Sequence, residues 1–112
     1  MNLGPLIAAL ISVETGGCRN PDLAIGDGGL AIGALQIHRA VVVDANRIAG
    51  TSYTHQQMTN RVAARRVCEI YLSRYASGRT NEEAARIWNG GPTGYRKSAT
   101  ITYWNKVKKA MK

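Results

Sequence analysis

The stretch Leu10-Ile11-Ser12-Val13-Glu14-Thr15-Gly16-Gly17 ends an apolar run in one carboxylate and then in two glycines. Upstream, Leu3, Leu6, Ile7, Leu10 and Ile11 recur at helical spacing, and Pro5 is tolerated in a first turn. Gly16 and Gly17 mark the stop. The spacing predicts a helix whose stripe 3, 7, 10, 14 puts Glu14 where the next core residue belongs. Glu14 also stands at the C-terminal end, where the macrodipole disfavours a negative charge, and burial disfavours the ionised form as well. Both effects raise a carboxyl pKa, which suits a proton donor near neutral pH. Taken alone, the residue is equally readable as a solvated glutamate on a fraying last turn.

The 112 residues suffice for one compact domain, 1–112, and not for two. A composition 45% hydrophobic and 20% charged is that of a globular chain rather than a disordered one. Fifteen Lys and Arg against seven Asp and Glu leave a net charge of +8. That excess favours anionic partners, among them nucleic acid, anionic lipid or an acidic wall polymer. The start MNLGPLIAALISVE has no cation before its apolar run, so no signal peptide is expected, and the run is too short to span a bilayer. Cys18 and Cys68 read as free thiols. His38 and His55 stand apart, and no His or Cys cluster has zinc spacing, so no metal is expected.

Six of the twelve glycines fall between Gly16 and Gly33, which predicts an irregular loop with room for a short hairpin. A helix is expected from near Ala34 to about Asn46, and a turn over Gly50 to Tyr53. Thr54-His55-Gln56-Gln57 has the form of a capping box and is expected to open the longest helix. Its buried side is read as Met58, Val62, Val67, Ile70, Tyr71 and Tyr75, with Arg61, Arg65 and Arg66 solvated or lining a groove. Thr80-Asn81-Glu82-Glu83 is a second box, opening a short helix to Trp88 that Asn89-Gly90-Gly91-Pro92 breaks. A last helix from about Ala99 carries Tyr103, Val107 and Met111 on one face.

Gly26-Asp27-Gly28-Gly29-Leu30-Ala31 fits a dinucleotide-loop pattern, but no strand precedes it and the chain lacks room for a doubly wound sheet. The loop reads better with its flanks. Glu14-Thr15, Gly33-Ala34-Leu35-Gln36, Trp88-Asn89-Gly90-Gly91-Pro92 and Tyr103-Trp104-Asn105-Lys106-Val107 follow in that order. This series resembles the lysozyme-like superfamily, in particular the soluble lytic transglycosylases and goose-type lysozymes. Their pattern is a catalytic Glu followed by Ser, then Gly-Leu-Met-Gln, then Tyr-Asn-x-Gly, then a late Tyr. Thr15 stands for the Ser, Ala34-Leu35 for Leu-Met, and Trp88 for the first Tyr. The resemblance covers about residues 3 to 111.

The resemblance implies a mainly helical, lysozyme-like α+β fold, with at most a small β-hairpin and helices around a substrate groove. It implies a muramidase that cleaves the β-1,4 bond between N-acetylmuramic acid and N-acetylglucosamine in peptidoglycan. Glu14 would be the general acid. Thr15, Gln36, Asn89 and Tyr103 would contact substrate, and Tyr95, in a loop after Pro92 and Gly94, is a further groove candidate. Structural readings compete at each: a polar residue at a helix start for Gln36, a C-cap for Asn89, and a core ring for Tyr103. Asp27 is the best placed second carboxylate for hydrolysis, although a turn-forming Asp between glycines has the same look. Goose-type enzymes carry another acid two positions after the motif Gln, where this chain has His38. A lytic transglycosylase, which needs no second carboxylate and gives a 1,6-anhydro product, stays an alternative. A basic nucleic-acid-binding module and a non-catalytic wall-binding protein are the others. No cofactor is implied. Wall glycan is the expected partner, with no need for nucleic acid and the chain acting as a monomer. The missing signal suggests a phage-type enzyme made in a bacterial cytoplasm, reaching the wall after release or in a virion.

Overall fold

The computed structural model describes residues 2–112. Helix α1, Gly4–Thr15, stops ahead of the two glycines as the sequence predicts. Its apolar residues are not confined to one stripe. Leu6, Ile7, Ala9, Leu10 and Ile11 are all buried. A helix apolar on most sides belongs in the middle of a fold, and α1 packs against three others, α3 (Arg61–Tyr75), α4 (Asn81–Gly90) and α5 (Ile101–Ala110). Helix α2, Arg39–Ala49, lies against α3.

The expected hairpin is present and minimal. Strands β1, Ile25–Gly26, and β2, Ala31–Ile32, pair antiparallel with Ile25 opposite Ile32 and Gly26 opposite Ala31. Asp27–Gly29 form the corner, where Asp27 has φ 51°. Asp is among the few non-glycine residues that adopt that region readily. The chain then folds back once more, and Ile37 pairs with Ile32 through two backbone hydrogen bonds of 2.9 and 3.1 Å.

That second reversal corrects the helix expected from Ala34. Gly33 at φ 85° and Gln36 at φ 51° are both outside helical geometry, and α2 begins only at Arg39. The apolar residues that imitated a helix start, Ala34, Leu35 and Ile37, are instead the buried side of a tight turn. The Thr15 hydroxyl ties this turn to α1 by donating to the Ala34 carbonyl at 2.8 Å.

The two capping boxes have different outcomes. At Thr54 the reciprocal bonds with Gln57 form, but they close a single turn of 3-10 helix, Gln56–Thr59. Helix α3 has its own cap, Asn60, which accepts from the Ala63 N–H at 3.0 Å. The phase of α3 is set by that later start, and Val62, expected inside, is 77% exposed. At Thr80 the full box with Glu83 opens α4, which continues through Asn89 to Gly90. Val107 is fully buried on α5, with Tyr103 and Met111 half-buried on the same face as expected.

A Cβ at Gly33 would lie 1.9 Å from the Met58 carbonyl oxygen, at a φ that side chains rarely adopt. Gly33→Ala is therefore expected to lower stability by about 1–3 kcal/mol from backbone strain alone, and by more from the clash. A urea midpoint unchanged from wild type would contradict this packing of the turn.

Candidate active site

Glu14 is the penultimate residue of α1 and is half-buried. It lines a cleft of about 360 Å³ together with Asp27 and Ala31 of the hairpin, Gln36, Ile37 and His38 of the turn, Val41 of α2, Tyr71 of α3, and Trp88, Asn89 and Gly91 at the end of α4. A larger hollow of about 560 Å³, between Tyr53 and Ala63, has no charged residue in its lining.

Among the described residues the Glu14 carboxylate accepts one hydrogen bond from a side chain, from the Tyr103 hydroxyl at 2.8 Å. Burial pushes the Glu14 pKa up and is the largest influence. The Tyr103 hydrogen bond opposes it, Asp27 adds to it, and His38 opposes it again. The net direction is upward. Burial and the neighbouring Glu14 charge push the Tyr103 phenol far above its ordinary value, so it stays a donor.

The distribution of ion pairs sets Glu14 apart. Among the described residues, six of the seven side-chain carboxylates each have a different cationic or imidazole partner: Asp22 with Arg61, Asp27 with His38, Asp44 with Arg47, Glu69 with Arg66, Glu82 with Arg86 and Glu83 with Arg79. Glu14 is the one without. In a chain of net charge +8, this carboxyl faces a phenol and desolvation instead of an ammonium or guanidinium.

Asp27 reaches the same cleft from a different environment. Its side chain is 67% exposed, and Oδ2 accepts from His38 Nε2 at 2.9 Å. Asn89 is exposed in the last turn of α4, ahead of the C-cap at Gly91, and its side-chain amide makes no hydrogen bond among the described residues. It is thus not the cap. Tyr103 is both a packed ring and the partner of Glu14.

The remaining sequence candidates take other places. Gln36 lines the cleft, but its amide nitrogen donates to the Gly33 and Ala24 carbonyls, at 3.0 and 3.2 Å, so it braces the loop that carries Asp27. Thr15 does not contact the cleft. It is 2% exposed, and its hydroxyl is engaged with the Ala34 and Ile11 carbonyls. Tyr95 does not line the cleft either. Its ring packs beneath the Arg79 guanidinium, 3.8 Å from the ring centre, with Arg96 at 5.4 Å. Arg61 and Arg66 are paired with carboxylates, and neither they nor Arg65 line the cleft. Tyr71, expected on the buried side of its helix, and Trp88, expected at the end of its own, meet edge to face at 5.8 Å and both line the cleft. For Trp88 the available signal was its position next to Asn89 on a helix end. Cys68 is fully buried, and burial pushes its thiol far up, so it is an inert packing group, while Cys18 is exposed.

A desolvated carboxyl and an exposed carboxylate sharing one cleft is the arrangement of enzymes that cleave glycosidic bonds by acid catalysis. No protein-family profile matches the chain. The lysozyme of Meretrix lusoria is 36% identical over 107 residues, covering 92% of this chain and 85% of its own length. The invertebrate-type lysozyme of Ruditapes philippinarum is 28% identical over 108 residues, covering 92% and 77%. The crystal structure of inhibitor-bound lysozyme from Meretrix lusoria superimposes with a TM-score of 0.75 at 33% identity, over 95% of this chain and 88% of that one. The chain belongs to the lysozymes. Its kinship is with lysozymes of bivalves, and this lends no support to the phage and bacterial-cytoplasm expectations or to the goose-type and lytic transglycosylase assignment.

Tyr103→Phe removes the Tyr103 hydrogen bond that favours ionised Glu14 and leaves burial unopposed by it. The Glu14 pKa then rises further, and the alkaline limb of the activity profile, where the acid loses its proton, is expected to move to higher pH. A limb that stays in place or moves down would contradict the assigned contact.

Proposed function

We propose that Glu14 is the general acid, and Asp27 the second carboxylate, of a lysozyme that hydrolyses the β-1,4 bond between N-acetylmuramic acid and N-acetylglucosamine in peptidoglycan. The observation that carries this is the isolation of Glu14: half-buried, without a cation, and in one cleft with Asp27. A raised pKa keeps the proton on Glu14 closer to neutrality, ready for the glycosidic oxygen as the bond to the leaving sugar breaks. Asp27, exposed on the hairpin corner, supports the second half of the reaction, in which water adds to the sugar. The free amide of Asn89 suits hydroxyl and N-acetyl groups, and the Trp88 ring suits the apolar face of a sugar. The carboxylates on the peptide stems of the wall polymer match the +8 charge of the chain.

Glu14→Gln is expected to cost about 10²–10⁴-fold in wall lysis. The same change is expected to stabilise the fold. A carboxyl whose folded pKa is raised loses stability as the pH climbs through that value, and the amide does not. The Gln variant should therefore melt higher near neutrality, with the gain vanishing below about pH 4, where the carboxyl is protonated in both folded and unfolded chains. Wild-type activity in this variant would refute the assignment.

Mass spectrometry of digested peptidoglycan distinguishes the reactions. Hydrolysis leaves reducing muramic acid ends, whereas products lighter by one water would indicate the anhydro route and contradict the role given to Asp27. Asp27→Asn is expected to cripple hydrolysis.

A further inference from the structure

We infer that His38 is a positioning residue, whose imidazole holds the Asp27 carboxylate in the orientation from which it acts in the cleft. This rests on the reading of Asp27 as the second carboxylate.

Asp27 is poorly held by its own surroundings. It stands at φ 51° on a two-residue-strand hairpin, followed by Gly28 and Gly29, with a largely exposed side chain. Among the described residues the only side chain bonded to its carboxylate is His38, at 2.9 Å through Oδ2. Among the described residues no side chain or backbone group bonds the other oxygen, Oδ1.

His38 has the opposite character. The residue before it, Ile37, is 1% exposed, is doubly bonded to Ile32, and has its carbonyl gripped by His55 Nε2 at 2.7 Å. The His38 carbonyl accepts from the Val41 and Val42 N–H groups and so begins α2. The imidazole is thus carried by a backbone bonded on both sides and reaches across to a glycine-rich hairpin corner. Its side chain caps no helix.

The other ion pairs do not share this placement. Three join residues three or four apart on one helix, Arg79 with Glu83 spans the start of α4, and the fifth, Asp22 with Arg61, is outside the cleft. Exposed pairs add little to stability, so a purely structural explanation gives His38 little to do. The pair also bears on the acid, because Asp27 and His38 act on Glu14 in opposite directions. An imidazole hydrogen-bonded to Asp27 keeps the second carboxylate next to the acid while tempering its effect on the acid's proton.

The test is steady-state kinetics of the full chain on a soluble peptidoglycan fragment, with His38→Ala, His38→Gln, Asp27→Asn and the double variant Asp27→Asn/His38→Ala. His38→Ala is expected to lower kcat about 10- to 100-fold through misplacement of the carboxylate, with KM within about twofold of wild type. His38→Gln, whose amide can still donate to Asp27, is expected to recover most of that loss. In the Asp27→Asn background, removing His38 is expected to cost nothing further. Wild-type kcat in His38→Ala, or an equal loss in both backgrounds, would overturn the inference while leaving Asp27 in its role. Full activity of Asp27→Asn would overturn the role of Asp27 itself, and the inference with it. Melting temperatures close to wild type for both His38 variants are expected from its exposure, and a collapse in both would also overturn the inference, since His38 would then hold the fold.

Discussion

The hydrogen bond from Tyr103 to Glu14 joins residues 89 apart in sequence and fixes where the acid stands. It exists because α5 docks on α1, and α5 docks because Val107, one turn after Tyr103, is fully buried. The buried side of α1 carries the carboxyl to the edge of the core, and the two glycines after it release the chain toward the hairpin. A helix that ended a turn earlier would leave Glu14 in a loop; a longer one would bury it beyond reach of substrate. The position of the acid is a by-product of packing the most apolar helix of the fold.

Electrostatics then makes that position useful. Desolvation raises the Glu14 pKa, and a guanidinium nearby would have undone it. The chain has cations in excess, yet among the described residues they pair with five of the other six carboxylates, three times along a single helix, and the sixth, Asp27, meets His38. Asp44 shows the contrast: burial raises its pKa, but hydrogen bonds from Tyr75 and Arg47, with Arg47 and Arg74 nearby, bring it below the ordinary range. Both carboxyls face a tyrosine hydroxyl. Deeper burial together with the lack of a cation separates the candidate acid from this structural carboxylate.

The parts of this arrangement carried by local patterning were legible in the sequence. The apolar run of α1, its glycine stop, the Thr80 box and the Tyr103–Val107–Met111 face are each set within a turn or two of helix, and the structure reproduces them. What was misread depends on tertiary partners. Ala34, Leu35 and Ile37 look like a helix start until Gly33 and Gln36 turn with positive φ beneath Met58. Thr54 and Gln57 form their box without starting the long helix, because Asn60 supplies a better cap six residues on. Thr15 has the side chain of a substrate ligand but is drawn inward by the Ala34 carbonyl. Tyr95 is claimed by Arg79 across a neighbouring element. The pairing of His38 with Asp27 was out of reach for a different reason, since it requires the chain to reverse twice between them.

The central claim is that the fold keeps Glu14 protonated to higher pH than an ordinary glutamate. The most direct measurement is an NMR titration of its side-chain carboxyl carbon in the free protein. The account predicts a midpoint above the ordinary glutamate value of about 4.3, on a signal assigned by its disappearance in Glu14→Gln. A midpoint at or below that value would contradict it.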